Sequence, residues 1–145
     1  MAQETISGLS QAAKAAAALS PASVLIGARF IGWDAETQTA TFAYTAPPSF
    51  ENARGGVQGG LIAGFLDEVM GAALYCHSGG KCLPTTLDIT MTLIRPVPIG
   101  PLLGRGRAIK VGRRVAYLEG ELFDEAGILL ARSTCTAIPT AIAGG

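Results

Sequence analysis

One histidine, one tryptophan, three cysteines and no run of like charge: what this chain lacks narrows its chemistry before any motif is read. His77 stands alone, and Cys76, Cys82 and Cys135 are odd in number without metal-type spacing, which speaks against a structural zinc site and a disulfide framework. Reduced thiols in a cytoplasm fit this cysteine usage. Eleven basic and eleven acidic residues cancel, and charged residues amount to only 15%, so there is no electrostatic footprint for nucleic acid or an anionic membrane. No basic region opens the alanine-rich N-terminus, where acidic Glu4 comes first, so no signal peptide is expected. The apolar stretches read as too short and too interrupted to span a bilayer.

What the chain has is apolar bulk: 49% hydrophobic residues, and 19 glycines scattered among apolar runs instead of forming a collagen-like or disordered tract. Its 145 residues suffice for one domain with one core. A lightly charged, apolar chain of this size points to extensive subunit contacts, and an elaborate site would have to borrow from a second copy.

Residues 7–19 carry helix formers, with Ser7 a candidate N-cap and Ser20-Pro21 a stop, giving a helical extension over residues 1–21 as a peripheral cover. The main domain is expected over residues 22–139, with a flexible tail at 140–145. The runs SVLIGARFIGWD and TQTATFAYTA read as two strands joined by an Asp34-Ala35-Glu36 turn, and Pro47-Pro48 ends their pairing. Residues 59–77, GGLIAGFLDEVMGAALYCH, make about five helical turns with apolar residues on every side, which predicts a helix enclosed by other structure. Its small residues Gly60, Ala63, Gly64 and Gly71 suggest close approach of a sheet. Four further strand-like runs follow, the last three joined by short turns into an antiparallel meander. One long helix wrapped by five or six antiparallel strands is an α+β domain. In the strand TLDITMTLI, alternation groups Thr86, Asp88, Thr90 and Thr92 on one face and Leu87, Ile89, Met91 and Leu93 on the other.

Asp67 and Glu68 interrupt the apolar helix between Phe65-Leu66 and Val69-Met70. Adjacent residues lie about 100° apart around a helix, so one acid can point into a crevice while the other meets water. Asp67 is the candidate in the crevice, because a partly desolvated carboxylate is a better base or nucleophile, and Glu68 the outward one or a helper. Just before the helix, GGVQGG exposes backbone N–H groups at the positive end of the helix dipole, a place for an anion or a developing oxyanion if it is not simply a flexible loop. It lacks the Gly-Lys-Ser/Thr of a phosphate loop. Gly59 and Asp67 are eight residues apart, about 12 Å along one helix, so they can serve one carbonyl only from two chains related by a two-fold axis.

Asn52, then Gln58-Gly59-Gly60, then Asp67, then the strand that ends in Arg95-Pro96, together resemble the hotdog-fold acyl-CoA thioesterases of the phenylacetate-pathway (PaaI-like) type, over about residues 22–139. The resemblance implies a hotdog fold, a homodimer with a continuous sheet and sites at the subunit interface, and often a homotetramer. It also implies hydrolysis of a coenzyme A thioester with no metal or organic cofactor. Carried over by position, Gly59 resembles the N–H donor to the thioester oxygen, with Gly60 beside it, and Asp67 the carboxylate that activates water or attacks directly. Asn52 matches a residue that positions the water or the leaving sulfur. Thr86 falls where the family has a Ser or Thr holding the water, with Thr85 as the substitute if the strand is offset or bulged.

The departure is Gln58, where the pattern has His: Gln can hydrogen-bond but cannot carry a proton. His77 lies ten residues after Asp67, about 15 Å along the helix, so a His–acid dehydratase pairing fails. Arg95, Arg113 and Arg114 are candidates for the coenzyme A phosphates. Trp33, Tyr44 and Phe50 read as core or pocket wall. The expected activity is hydrolysis of a medium-chain or aromatic acyl-CoA. The alternative, which Gln58 favours, is a non-catalytic acyl-CoA binding or sensing protein. A purely structural oligomer would leave the acids unexplained, and an Asp67 facing bulk solvent would support it.

Overall fold

A computed structural model describes residues 20–143; the helix expected over residues 7–19 lies outside them. Ser20-Pro21 starts a helix. Ser20 Oγ accepts the Ser23 N–H at 3.1 Å and Pro21 takes the first helical position, where its missing N–H costs nothing, so α1 spans Pro21–Leu25. The expected first strand therefore begins late, as β1 (Arg29–Asp34). Asp34 folds the turn to β2 (Thr39–Ala46), its carboxylate accepting the Glu36 and Thr37 amides, and the Thr37 and Glu36 amides hold its pKa below the usual carboxylate value. A short 3-10 turn, Pro48–Phe50, follows.

Helix α2 then runs Gly59–His77, with the bounds expected from sequence. By length and composition alone it could cross a membrane, contrary to the sequence reading. Burial of Ile62, Phe65, Leu66, Val69, Met70, Ala73 and Leu74 among β-strands accounts for that apolarity: it is the core helix. Strands β3 (Cys82–Leu93), β4 (Gly100–Val111), β5 (Ala116–Phe123) and β6 (Leu129–Ala141) complete one antiparallel sheet in the order β1-β2-β4-β5-β6-β3. β6 extends two residues into the stretch expected as tail. The meander β4-β5-β6 is as expected, and the sheet around one helix is the hotdog arrangement.

The tightest approach of helix and sheet is made by glycines of the sheet, while on the helix Gly71 meets Pro84 of the strand that follows, 3.4 Å from its missing Cβ. A Cβ on Gly106 would lie 1.9 Å from the Val69 carbonyl oxygen, and one on Gly104 2.7 Å from the Tyr44 ring. On α2, by contrast, Gly60 has nothing within 4 Å of its missing Cβ, and Gly64 only Ile26 Cγ2 at 4.0 Å. Tyr44 seals the seat, its hydroxyl donating to the Phe65 carbonyl at 2.8 Å.

Burial pushes the Cys76 thiol up to about 11, and burial followed by the charges of Asp67 and Asp88 does the same to Cys135, from an ordinary value of 9.0. The fold thus favours both neutral thiols, and the unfolded chain ionises first as pH rises. Stability from these groups is intact below about pH 9 and lost between about 9 and about 11. Urea midpoints measured across that window should fall, and a flat profile would contradict the burial of both thiols.

Candidate active site

Asn52 builds the loop that leads into α2. Its Oδ1 accepts the Arg54 N–H at 2.9 Å and the Gly56 N–H at 3.2 Å, while its Nδ2 donates to the Val57 carbonyl at 3.3 Å. Val57 N–H donates to Val97 O at 2.8 Å, and Gln58 N–H to Phe50 O at 2.9 Å. The glycine segment is therefore pinned on both sides and is not a loose loop. Gly55, at φ +90°, supplies the left-handed turn that this closure needs. Asn52 has spent both ends of its amide on that closure, so its place in this protomer is as the clasp of the loop.

Gly59 and Gly60 open α2, where the first N–H groups have no intrahelical partner, and no side chain caps this start among the described residues. Gln58, the N-cap residue, is exposed. Leu93 Cδ1 lies 3.3 Å from where a Gly59 Cβ would be, so the end of β3 borders these amides.

Eight residues on, Asp67 sits on the exposed face of α2 and accepts a long hydrogen bond from Thr86 Oγ1, at 3.3 Å. A β-bulge between Thr86 and Asp88 explains how Thr86 reaches it. The extra residue, Leu87, breaks the simple alternation read from sequence: Thr86 faces inward with Ile89 and Met91, while Asp88 turns outward to accept the Thr136 N–H and hydroxyl. The same bulge leaves Thr85 on the outer face, its hydroxyl paired with Thr140 at 2.6 Å.

The two acids take the opposite sides to those expected. Asp67 is exposed in the protomer, whereas half-buried Glu68 accepts the Ser23 hydroxyl at 2.7 Å. Elsewhere on α2 and β3 the large apolar side chains Leu61, Leu87 and Leu93 are exposed at 39%, 58% and 48%, apolar surface of the kind that marks a face to be covered. Both carboxylates act on the buried Tyr44 phenol, whose pKa is raised well above the ordinary value by burial first, then by Glu68 and Asp67.

The three arginines do not converge. Arg95 lies beyond the end of β3 near Gly59 and donates to the Leu129 carbonyl at 2.5 Å. Arg113 and Arg114 occupy the β4–β5 turn, beside the row Val111–Ala116–Ala137–Thr86. Those two levels of β3 are separated by about 20 Å, too far for one chain to clasp one phosphate with both groups. His77, at the far end of α2, is hydrogen-bonded to Gln38 at 2.5 Å, well away from the acids. Trp33 packs partly buried against the core, and Tyr44 and Phe50 are within it. Sequence reading missed Ser23, whose partner Glu68 is 45 residues away; the only local signal was its place in the Ser20 cap.

A hotdog domain carrying a carboxylate and free amides on one exposed helix face is the protein class that this fold and site define. The chain belongs to the thioesterase superfamily, whose sequence model matches residues 55–131. A candidate thioesterase from Ralstonia eutropha, described as phenylacetic acid degradation-related, is 30% identical, with a TM-score of 0.76 over 83% of this chain and 91% of that one. The PaaI protein of the phenylacetic acid degradation operon of Escherichia coli shares the fold, at 16% identity and a TM-score of 0.78 over 92% of this chain and 97% of that one. So does a Streptococcus mutans protein bound to acetyl-CoA, at 17% identity and a TM-score of 0.69 over 79% and 89% of the two chains. Among curated proteins, a candidate esterase of Thermoplasma acidophilum is 26% identical over 80 residues, 55% of this chain; the match spans 60% of that relative's length.

Proposed function

We propose that this protein hydrolyses acyl-CoA thioesters at a site shared by two copies of the chain. The observation that carries this reading is the placement of half-buried Gly59, at the uncapped start of α2, and exposed Asp67 on the same helix, too far apart to act on one carbonyl within a protomer. Two such helices opposed antiparallel bring Gly59 of one protomer to the partner subunit's Asp67. The edge of the twelve-residue strand β3, which among the described residues pairs only with β6, is where the two sheets would join.

In this arrangement the Gly59 N–H, with Gly60 beside it, binds the thioester oxygen as it becomes an oxyanion. Asp67 takes a proton from water held by Thr86 while the water oxygen adds to the carbonyl carbon. Collapse of the intermediate breaks the C–S bond, giving the carboxylic acid and the coenzyme A thiol, which leaves with the proton. Direct attack by Asp67 on the carbonyl carbon, which breaks the C–S bond and expels the coenzyme A thiolate, forms an anhydride; water then opens it to the acid and the free carboxylate, releasing the proton that the thiolate takes up, with the same groups. Gln58 orients the thioester and carries no proton. Arg95 of one chain and Arg113 or Arg114 of the other are assigned to the coenzyme A phosphates. The exposed leucines of α2 and β3, Leu61, Leu87 and Leu93, favour a medium-chain or aromatic acyl group in this reading. A cytoplasmic location belongs to the same reading, and the three cysteines are free thiols.

Release of free thiol from a panel of acyl-CoAs tests the activity, and light scattering tests the dimer. Prior dialysis against a chelator is expected to leave turnover unchanged, since no step is assigned to a metal. The second reading, a binding or sensing protein, is favoured by the exposed Gln58 in place of His. Stoichiometric binding of acyl-CoA without turnover across the panel would establish it instead.

A further inference from the structure

Among the described residues, nothing covers a narrow strip of α2, with Gly60, Gly64 and Asp67 exposed and Gly71 half-buried along it. On one side of the strip stands β3, whose Pro84, Thr86 and Leu93 lie against Gly71, Asp67 and Gly59. On the other side stands α1 with the residue after it, Ile26, against Gly64, and Ser23 against Glu68. The strip is thus the floor of a channel with two walls, and Asp67 is on the floor.

The wall made by α1 is only five residues long and leaves Val24 and Leu25 exposed at 63% and 61%. It is fixed to α2 by a polar connection. Ser23, 4% exposed and one of two buried polar residues among those described, donates to Glu68 at 2.7 Å and shares a 2.9 Å hydroxyl contact with Ser20. Glu68 is the residue immediately after Asp67, so the latch is tied to the same helical turn as the carboxylate assigned to the chemistry. A five-residue helix has no stability of its own, and a side-chain hydrogen bond that ties it to α2 helps to hold it in place.

We propose that Glu68 is a positioning residue: through Ser23 it sets the distance of α1 from the Asp67 strip, and α1 with Val24 and Leu25 thereby determines how long an acyl group the channel accepts. This rests on the proposed thioesterase reading. It requires no proton transfer by Glu68, only an acceptor for the Ser23 hydroxyl, which separates its role from that of Asp67.

The test compares wild type, Ser23→Ala, Glu68→Ala and Glu68→Gln on acetyl-, hexanoyl- and decanoyl-CoA, with circular dichroism confirming folding. Wild-type turnover on any of the three, or on phenylacetyl-CoA, tests the underlying activity; none on all four would sink that reading. Given turnover, Ser23→Ala and Glu68→Ala are expected to change the ratio of kcat/KM for decanoyl- to acetyl-CoA about tenfold, the scale on which an apolar pocket discriminates by a methylene or two. Glu68→Gln, which keeps an acceptor oxygen, should retain the wild-type ratio. Parallel loss on all three substrates, or an unchanged ratio in folded Ser23→Ala, would overturn the latch while leaving the thioesterase reading intact. A loss in Glu68→Gln equal to that in Glu68→Ala would also overturn it, since charge and not positioning would then be the contribution.

Discussion

Replacing Asp67 by alanine is expected to lower kcat/KM for acyl-CoA hydrolysis about a thousandfold, the middle of the range supplied by a positioned general base. The loss should appear chiefly in kcat, because Asp67 is assigned to the addition of water and not to holding coenzyme A. Stability offers the control. The Asp67 side chain is exposed and makes one long contact, to Thr86 at 3.3 Å, so its removal is expected to change unfolding free energy by no more than about 0.5 kcal/mol. Thr86→Ala should lose less, because it removes a partner of the carboxylate and leaves the carboxylate itself. Wild-type rates in the alanine variant would remove Asp67 from the mechanism and, with it, the reason to place two chains at one site. Free-thiol release under single-turnover and steady-state conditions measures both parts.

Gly106→Ala is expected to have the largest effect on folding, a loss of about 3 kcal/mol or more. Its Cβ would meet the Val69 carbonyl oxygen at 1.9 Å, the Val69 carbonyl carbon at 2.3 Å and the Met70 nitrogen at 2.9 Å. All three atoms belong to the backbone of α2, which a rotamer change cannot move aside. Relief would require lifting the helix from β4 and opening the contacts of Val69 and Met70, both fully buried. Gly60→Ala is the matched comparison, since nothing lies within 4 Å of the added methyl and helix propensity favours alanine by about 1 kcal/mol. Denaturant unfolding of both variants should place them on opposite sides of wild type, or at least far apart. Similar midpoints would mean that the helix does not rest on Gly106.

Much of this contrast was not legible in the chain. The glycines of α2 invited the reading that the helix had been thinned to let a sheet approach. The sheet's own Gly104 and Gly106 do that work, because β4 passes directly under Val69. Which side of a contact is kept small depends on which residues face each other, and periodicity along one segment carries no information about the other. The same limit applied to Asp67 and Glu68. Their angular separation on a helix was calculable, but the side taken by each was decided by α1, whose Ser23 reaches Glu68 across 45 residues of sequence. At Thr86 the alternation rule failed for a local reason. A bulge adds one residue to β3, and only pairing with β6 reveals it.

Local sequence determined the elements themselves: the nineteen-residue helix from its long, mostly apolar run, the meander from its turns, and the spacing of Gly59 and Asp67 from helical rise. These are properties of consecutive residues, set by backbone geometry and hydrophobic period. Tertiary structure alone decided the strand order that places β3 at the sheet edge among the described residues, the burial of a helix apolar enough for a membrane, and the flanking of one strip of α2 by β3 and α1. Those features come from contacts between residues far apart in the chain, where packing against a particular neighbour outweighs the preference of either segment by itself.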